Sequence, residues 1–161
     1  MKINCLLNNK QAFFNTYSDK PLSLLLTEEA AITSLQIGCG TGRCGNCILL
    51  IDDKPVLSCL IPAFSVAGKR ILTFEGFTKT RFHSEIKRAY KKHQAYPCDQ
   101  CYAAKTLIIH SIISDNMDPE PEDIIQALQV NTCNCLNYDE LTQIVQTAAG
   151  FRRRKRRVRR S

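Results

Sequence analysis

The sequence has no apolar run approaching the ~18 residues that a membrane span requires. Its opening stretch, MKINCLLNNKQ, holds no apolar core of the ~7–15 residues that a secretory signal carries. The cytoplasm is therefore the expected compartment. No G-x-S-x-G, H-E-x-x-H or phosphate-binding glycine motif with its lysine occurs, so nothing reads as an independent active site and no catalytic residue is assigned. No segment repeats at a fixed period, which excludes a solenoid. Outside the C-terminus there is no excess of either charge. Eight of the 22 Lys and Arg residues lie in the final eleven, FRRRKRRVRRS, and the remaining 14 face 15 Asp and Glu. The formal charge of +7 thus belongs to the tail, and the body is not a basic nucleic-acid-binding surface. Glycine is scarce too: the chain has seven, and four of them fall within residues 38–47, GCGTGRCGNC.

What is present in quantity is cysteine: Cys5, Cys39, Cys44, Cys47, Cys59, Cys98, Cys101, Cys133 and Cys135. In a reducing compartment, clustered cysteines bind metal or do redox chemistry more often than they form disulfides. An odd count suits eight ligands and one spare. Cys5 sits in a short apolar strand with no cysteine beside it and reads as a buried apolar thiol.

Two textures divide the chain. In the first, KINCLL (2–7) and QAFFNTY read as strands around an Asn8-Asn9 turn, since asparagine tolerates positive φ. KPLSLLLTEEAA (20–31) reads as a helix with a proline near its start. ILLIDDKPVLSCL reads as two strands around Asp52-Asp53, and KRILTFEGF as a last strand. From about residue 80, FHSEIKRAYKKHQAY, KTLIIHSIISDNM, PEDIIQALQ and DELTQIVQTAAG each place apolar residues at helical spacing. The expected class is α+β, with a strand-rich unit at 1–77, a helical unit at 80–150 and a basic, disordered tail at 151–161.

The first cysteine group is C-x4-C-x2-C followed after eleven residues by Cys59. This is the plant-type 2Fe–2S spacing. A cluster held by four thiolates is anionic, and its sulfurs accept hydrogen bonds from backbone amides. Gly38, Gly40, Gly42 and Gly45 would let those amides approach, while Cys39, Cys44, Cys47 and Cys59 hold the iron. The second group, C-x2-C at Cys98 and Cys101 and C-x-C at Cys133 and Cys135, falls where predicted helices join. On spacing alone it could hold zinc or an iron–sulfur cluster. His83, His93 and His110 do not sit beside cysteines and read as ordinary surface or packing residues.

Taken together, GCGTGRCGNC…LSC and CDQC…NTCNCLNY resemble the small iron–sulfur subunit of the molybdenum hydroxylases, the xanthine dehydrogenase and aldehyde oxidoreductase group. The resemblance spans residues 1 to about 150 and all eight ligand positions. It implies a plant-type ferredoxin domain of β-grasp fold followed by a four-helix domain, each with one 2Fe–2S cluster. It implies partners as well: a large subunit carrying molybdopterin and a subunit carrying FAD. Electrons would pass from molybdenum to the helical-domain cluster, then to the ferredoxin-domain cluster, then to FAD. The second motif departs from the family pattern. Pro97 stands where the family has a glutamine at the pterin contact, with Gln100 nearby as a substitute. Asp99 and Asn137 replace glycines. Asn134 replaces an arginine, which implies a lower reduction potential for that cluster.

The tail has one aromatic, Phe151, and so no stacking platform for single strands. A second reading is a metal-stabilised interaction or regulatory protein that binds nucleic acid through its basic tail. A third is a free-standing ferredoxin serving another oxidoreductase.

Overall fold

Lys2–Leu7 (β1) and Lys10–Asn15 (β2) form an antiparallel hairpin with Leu7 opposite Lys10. The connecting Asn8 and Asn9 have φ of 49° and 65°, the double positive-φ turn whose twist matches paired strands. Along β1 the side chains alternate: Ile3 and Cys5 are buried, Lys2 and Asn4 exposed. Cys5 lies in the core, and burial pushes its thiol up from the ordinary value, as suits an apolar cysteine. Leu22–Glu29 (α1) follows Pro21 and buries Leu22, Leu25 and Leu26.

The computed structural model describes residues 1–17 and 19–160; residue 18 and residue 161, the last of the expected tail, lie outside the described residues. After the cysteine loop come Ile48–Ile51 (β3) and Lys54–Leu57 (β4), joined at Asp52 and Asp53 with φ of 49° and 67°. Arg70–Leu72 (β5) completes a five-stranded sheet of order β2-β1-β5-β3-β4. β5 runs parallel to β1 and antiparallel to β3.

The expected last strand, KRILTFEGF, ends early. Phe74–Phe77 (α2) is a helical turn. The Glu75 carboxylate accepts from the backbone amides of Thr33 and Ser34 at 2.9 and 2.8 Å and from the Ser34 and Thr73 hydroxyls at 2.7 Å each. The three bonds to Thr33 and Ser34 hold the segment against the chain after α1 instead of letting it extend the sheet. Gly76 is needed there, because a Cβ would collide with the Asn8 side chain, which itself accepts from the Thr73 amide at 2.9 Å.

The four predicted helical segments are helices: Arg81–His93 (α3), Tyr102–Asp115 (α4), Pro121–Leu128 (α5) and Tyr138–Arg160 (α6). Pro121 takes the first helical position, where its missing amide costs nothing. Asn137 and Glu140 form a reciprocal cap at the start of α6: each side chain accepts from the other's backbone amide, at 2.8 and 3.0 Å. Among the described residues, no helix is long and apolar enough to cross a membrane.

β3 joins two hydrophobic cores. All four of its residues are buried. Leu49 and Ile51 face a core with α1, Ile3, Phe14 and Ile71. Ile48 and Leu50 face the other, with α3, α4, α5 and α6. Alternation along one strand therefore makes it a shared wall, which explains a continuous apolar run where an edge strand would alternate.

The expected disordered tail is a correction. α6 continues through Arg160. Arg152 is buried; its Nε donates to Glu85 Oε2 at 2.9 Å and its Nη1 to Ser114 Oγ at 3.2 Å. Arg153 donates to the Met117 carbonyl and to Asp118 Oδ1. Lys155 Nζ lies 3.8 Å from Glu85, and the Arg88 guanidinium stacks 4.4 Å over Phe151. The charges that suggested solvation are partly the ones that fasten the helix.

Candidate metal centre

The first cysteine loop leads from residue 36 into β3. Gly40, Gly42 and Gly45 have φ of 64°, 77° and 72°, a region that side chains resist. These turns aim three amides at one sulfur: Cys39 Sγ accepts from the N–H groups of Arg43, Cys44 and Thr41 at 3.1, 3.3 and 3.4 Å. The Thr41 amide first, then that of Cys44, pulls the Cys39 thiol down to about 6. Gly38 keeps room beside Cys44, whose Sγ would lie 3.1 Å from an added Cβ. Cys47 immediately precedes β3, and Cys59 lies in the 3-10 turn Ser58–Leu60 just after β4. Ser58 draws the two together, its amide and hydroxyl both donating to the Cys47 carbonyl, at 3.2 and 2.7 Å. Burial raises the Cys59 thiol to about 11, the neighbouring Cys47 thiol adds to this, and the Gly42 amide opposes it.

The second set is tighter. Cys98 and Cys101 precede α4, and Cys133 and Cys135 lie between α5 and α6. Their four sulfurs all lie within 4.8 Å of one another. Cys101 Sγ is 3.2 Å from Cys135 Sγ and 3.4 Å from Cys98 Sγ, and Cys98 Sγ is 3.7 Å from Cys133 Sγ. Among the described residues, this is the one group of Cys, His and acidic side chains drawn together so closely. Burial works against ionising Cys98, yet the surrounding thiols, Cys101 first, lower it to about 7. Cys101 moves the other way: burial, then Cys135 and Cys98, push its thiol well above the usual range. Sulfurs this close cannot all ionise against one another without a cation among them, and four convergent thiols with no carboxylate or imidazole are a donor set for iron–sulfur or zinc. None of the nine cysteines is in a disulfide.

The two loops touch. The Thr132 amide donates to the Cys44 carbonyl at 3.2 Å. Asn131 Nδ2 donates to the Gly45 carbonyl at 3.2 Å and to Asn46 Oδ1 at 2.7 Å. On its other side Asn131 Oδ1 accepts from Lys105 Nζ at 2.8 Å, and Lys105 Nζ also donates to the Cys133 carbonyl at 2.9 Å.

Residues 73–146 match the family described as a 2Fe-2S binding domain. The nicotinate dehydrogenase small FeS subunit of Eubacterium barkeri is 30% identical over 146 residues, covering 91% of this chain and 93% of that protein. The nicotine 6-hydroxylase small subunit of Paenarthrobacter nicotinovorans is 32% identical over 125 residues, 78% of this chain and 75% of that one. The chain belongs to the small iron–sulfur subunits of the molybdenum hydroxylases. A solved structure agrees: quinoline 2-oxidoreductase from Pseudomonas putida 86 superposes with a TM-score of 0.85 at 29% identity, covering 96% of both chains.

Within this iron–sulfur subunit the three histidines stay away from the cysteines. His83 packs edge-on against Phe74 and Phe77. His93 Nε2 lies 2.8 Å from the Thr147 hydroxyl. His110 is buried against Phe77 and Phe82. Pro97 is buried and Gln100 exposed at the second loop. Sequence reading missed Asn131 and Lys105 as the joint between the loops. The available signal was Lys105 itself, a lone charge in the otherwise uncharged run YAAKTLIIHSII.

Proposed function

We propose that this subunit carries two 2Fe–2S centres, one on Cys39, Cys44, Cys47 and Cys59 and one on Cys98, Cys101, Cys133 and Cys135, and that it conducts electrons between partner subunits of a molybdenum hydroxylase. In this reading residues 1–77 form a plant-type ferredoxin β-grasp domain and residues 80–150 a four-helix cluster domain. Electrons enter at the helical centre from a molybdopterin-binding large subunit and leave from the ferredoxin-type centre to an FAD-binding subunit. The holoenzyme oxidises a heterocycle or aldehyde. Nine unpaired cysteines suit a reducing cytoplasm.

The observation that carries the reading is the contact between the loops. Cys44 offers its carbonyl to the amide of Thr132, and Thr132 is bonded to Cys133. One 3.2 Å hydrogen bond thus completes a through-bond route from a ligand of one centre to a ligand of the other. A chain that served only as a metal-stabilised interaction module has no need of that junction. The nucleic-acid reading of the tail also loses support, because Arg152, Arg153 and Lys155 pair with Glu85 and Asp118 inside the chain.

The sulfur spacing favours one further reading of the second set. Four sulfurs about 2.3 Å from one tetrahedral zinc lie about 3.8 Å apart, close to the 3.2–3.7 Å pairs seen here. Metal analysis separates the two, since zinc gives no EPR signal.

The test of the partner assignment is affinity purification of the tagged full chain from its native host, followed by molybdenum and flavin analysis. Co-elution of two larger chains with molybdenum and FAD is expected. Recovery of the chain with an oxidoreductase that lacks molybdenum would replace this reading with the free-standing ferredoxin.

A further inference from the structure

Lys105 lies on α4, one helical turn after Cys101, and is 1% exposed. Burying an ammonium costs several kcal/mol unless an opposite charge faces it. Among the described residues no carboxylate pairs with it. Its two acceptors, Asn131 Oδ1 at 2.8 Å and the Cys133 carbonyl at 2.9 Å, are both neutral. The anion-forming groups around it are the thiols. Lys105 Nζ reaches the Cys133 carbonyl directly, and Cys101 lies one helical turn before Lys105 at the start of α4.

We propose that Lys105 is the internal counter-cation of the Cys98, Cys101, Cys133 and Cys135 centre and holds its reduction potential up. The inference rests on the reading that this set binds a 2Fe–2S cluster. Such a centre is anionic with four thiolates, and accepting one electron makes it one charge more negative, with no proton or bond exchanged. A fixed cation stabilises the more negative state more, and burial keeps water and salt from screening it. Asn134, between two of the ligands, is exposed and neutral, so the charge comes from inside the helix bundle rather than from the surface loop. Lys105 therefore opposes the low potential that Asn134 alone implies. The same Nζ, through Asn131, also fixes the loop that meets Cys44 and Gly45.

The experiment is an anaerobic, dye-mediated redox titration of the full chain, dithionite supplying the electrons, with both EPR signals followed. Signals are assigned beforehand with Cys133→Ser and Cys44→Ser. Lys105→Met removes the charge and the hydrogen bonds; Lys105→Gln removes the charge but keeps a donor. Both variants are expected to lower the midpoint of the second centre by a factor of about ten in its one-electron equilibrium, about 59 mV, with a smaller shift at the first. An unchanged midpoint in both variants overturns the proposal. So does a fall in Lys105→Met alone, which assigns the effect to hydrogen bonding. Loss of the second signal from both variants, with the first retained, makes Lys105 a scaffold residue and also overturns it. Absence of the second signal from the unmodified chain defeats the two-centre reading itself, and this inference with it.

Discussion

At Gly45 the backbone sits at φ 72°, and an added methyl group would run into the Val130 carbonyl oxygen and come within 2.6 Å of Asn131 Cα. The position combines a left-handed backbone with close approach of the second cysteine loop, so no side chain fits. Gly45→Ala is expected to cost at least about 1–2 kcal/mol from the backbone alone. At about 2–4 °C per kcal/mol for a chain of this size, thermal melting should show a fall of several degrees. Gly40, also at positive φ, has open space around it, and Gly40→Asn should melt within about 1 °C of the parent. Equal effects at both sites would mean that the contact between the loops is not real. At this scale the convergence of Cys98, Cys101, Cys133 and Cys135 was legible, because thiols paired at such short spacings have few other uses. Lys105 and Asn131 were not. Their meaning lies in partners far along the chain, Asn131 reaching back 86 residues to Gly45, and no local pattern encodes that.

The elements were read well where periodicity decides and poorly where a distant partner decides. The four helices after residue 80 followed from apolar spacing, and both two-residue turns from asparagine and aspartate pairs. The tail was misread because a window of eight basic residues carries no trace of Glu85, 67 residues away. Arg152→Ala leaves Glu85 buried with only Lys155 at 3.8 Å. Loss of a buried partner costs about 3–5 kcal/mol, and Lys155 places the expected value at the low end, a fall in melting temperature of about 6–12 °C. The pair Glu85→Leu with Arg152→Met should recover much of it. No change in melting for Arg152→Ala would restore the picture of a detached tail.

The same helix junction carries a pH dependence. A guanidinium only donates, so with Arg152 Nη2 3.3 Å from His110 Nδ1 the imidazole is the acceptor and is neutral. Burial first, then the Arg152 charge, lowers His110 to about 4. In the unfolded chain it titrates near about 6.5. The unfolded state therefore binds the extra proton first as pH falls. The stability contributed by neutral His110 is complete above pH ~6.5 and is lost as pH drops toward ~4, on the order of 3 kcal/mol in all. Urea melts at pH 7 and pH 5 should show a smaller drop for His110→Gln than for the parent. Identical drops would show that His110 is not held neutral.

Across the whole molecule, the division into a strand-rich and a helical half was visible as a change of texture near residue 80. The joint was not. β3 serves both cores through alternate side chains, and the two cysteine loops meet through Asn131 and Thr132. Both features depend on how the halves pack, which neither half's pattern specifies. In the proposed reading both redox centres therefore sit on halves packed against each other rather than on two modules on a string. The measurement that tests this most directly is iron and acid-labile sulfide content, with EPR of the dithionite-reduced chain purified without oxygen. The account predicts about four irons per chain and two distinct S = 1/2 signals, two irons for each 2Fe–2S centre. About two irons with a single signal, and zinc in the Cys98, Cys101, Cys133 and Cys135 set, would contradict it.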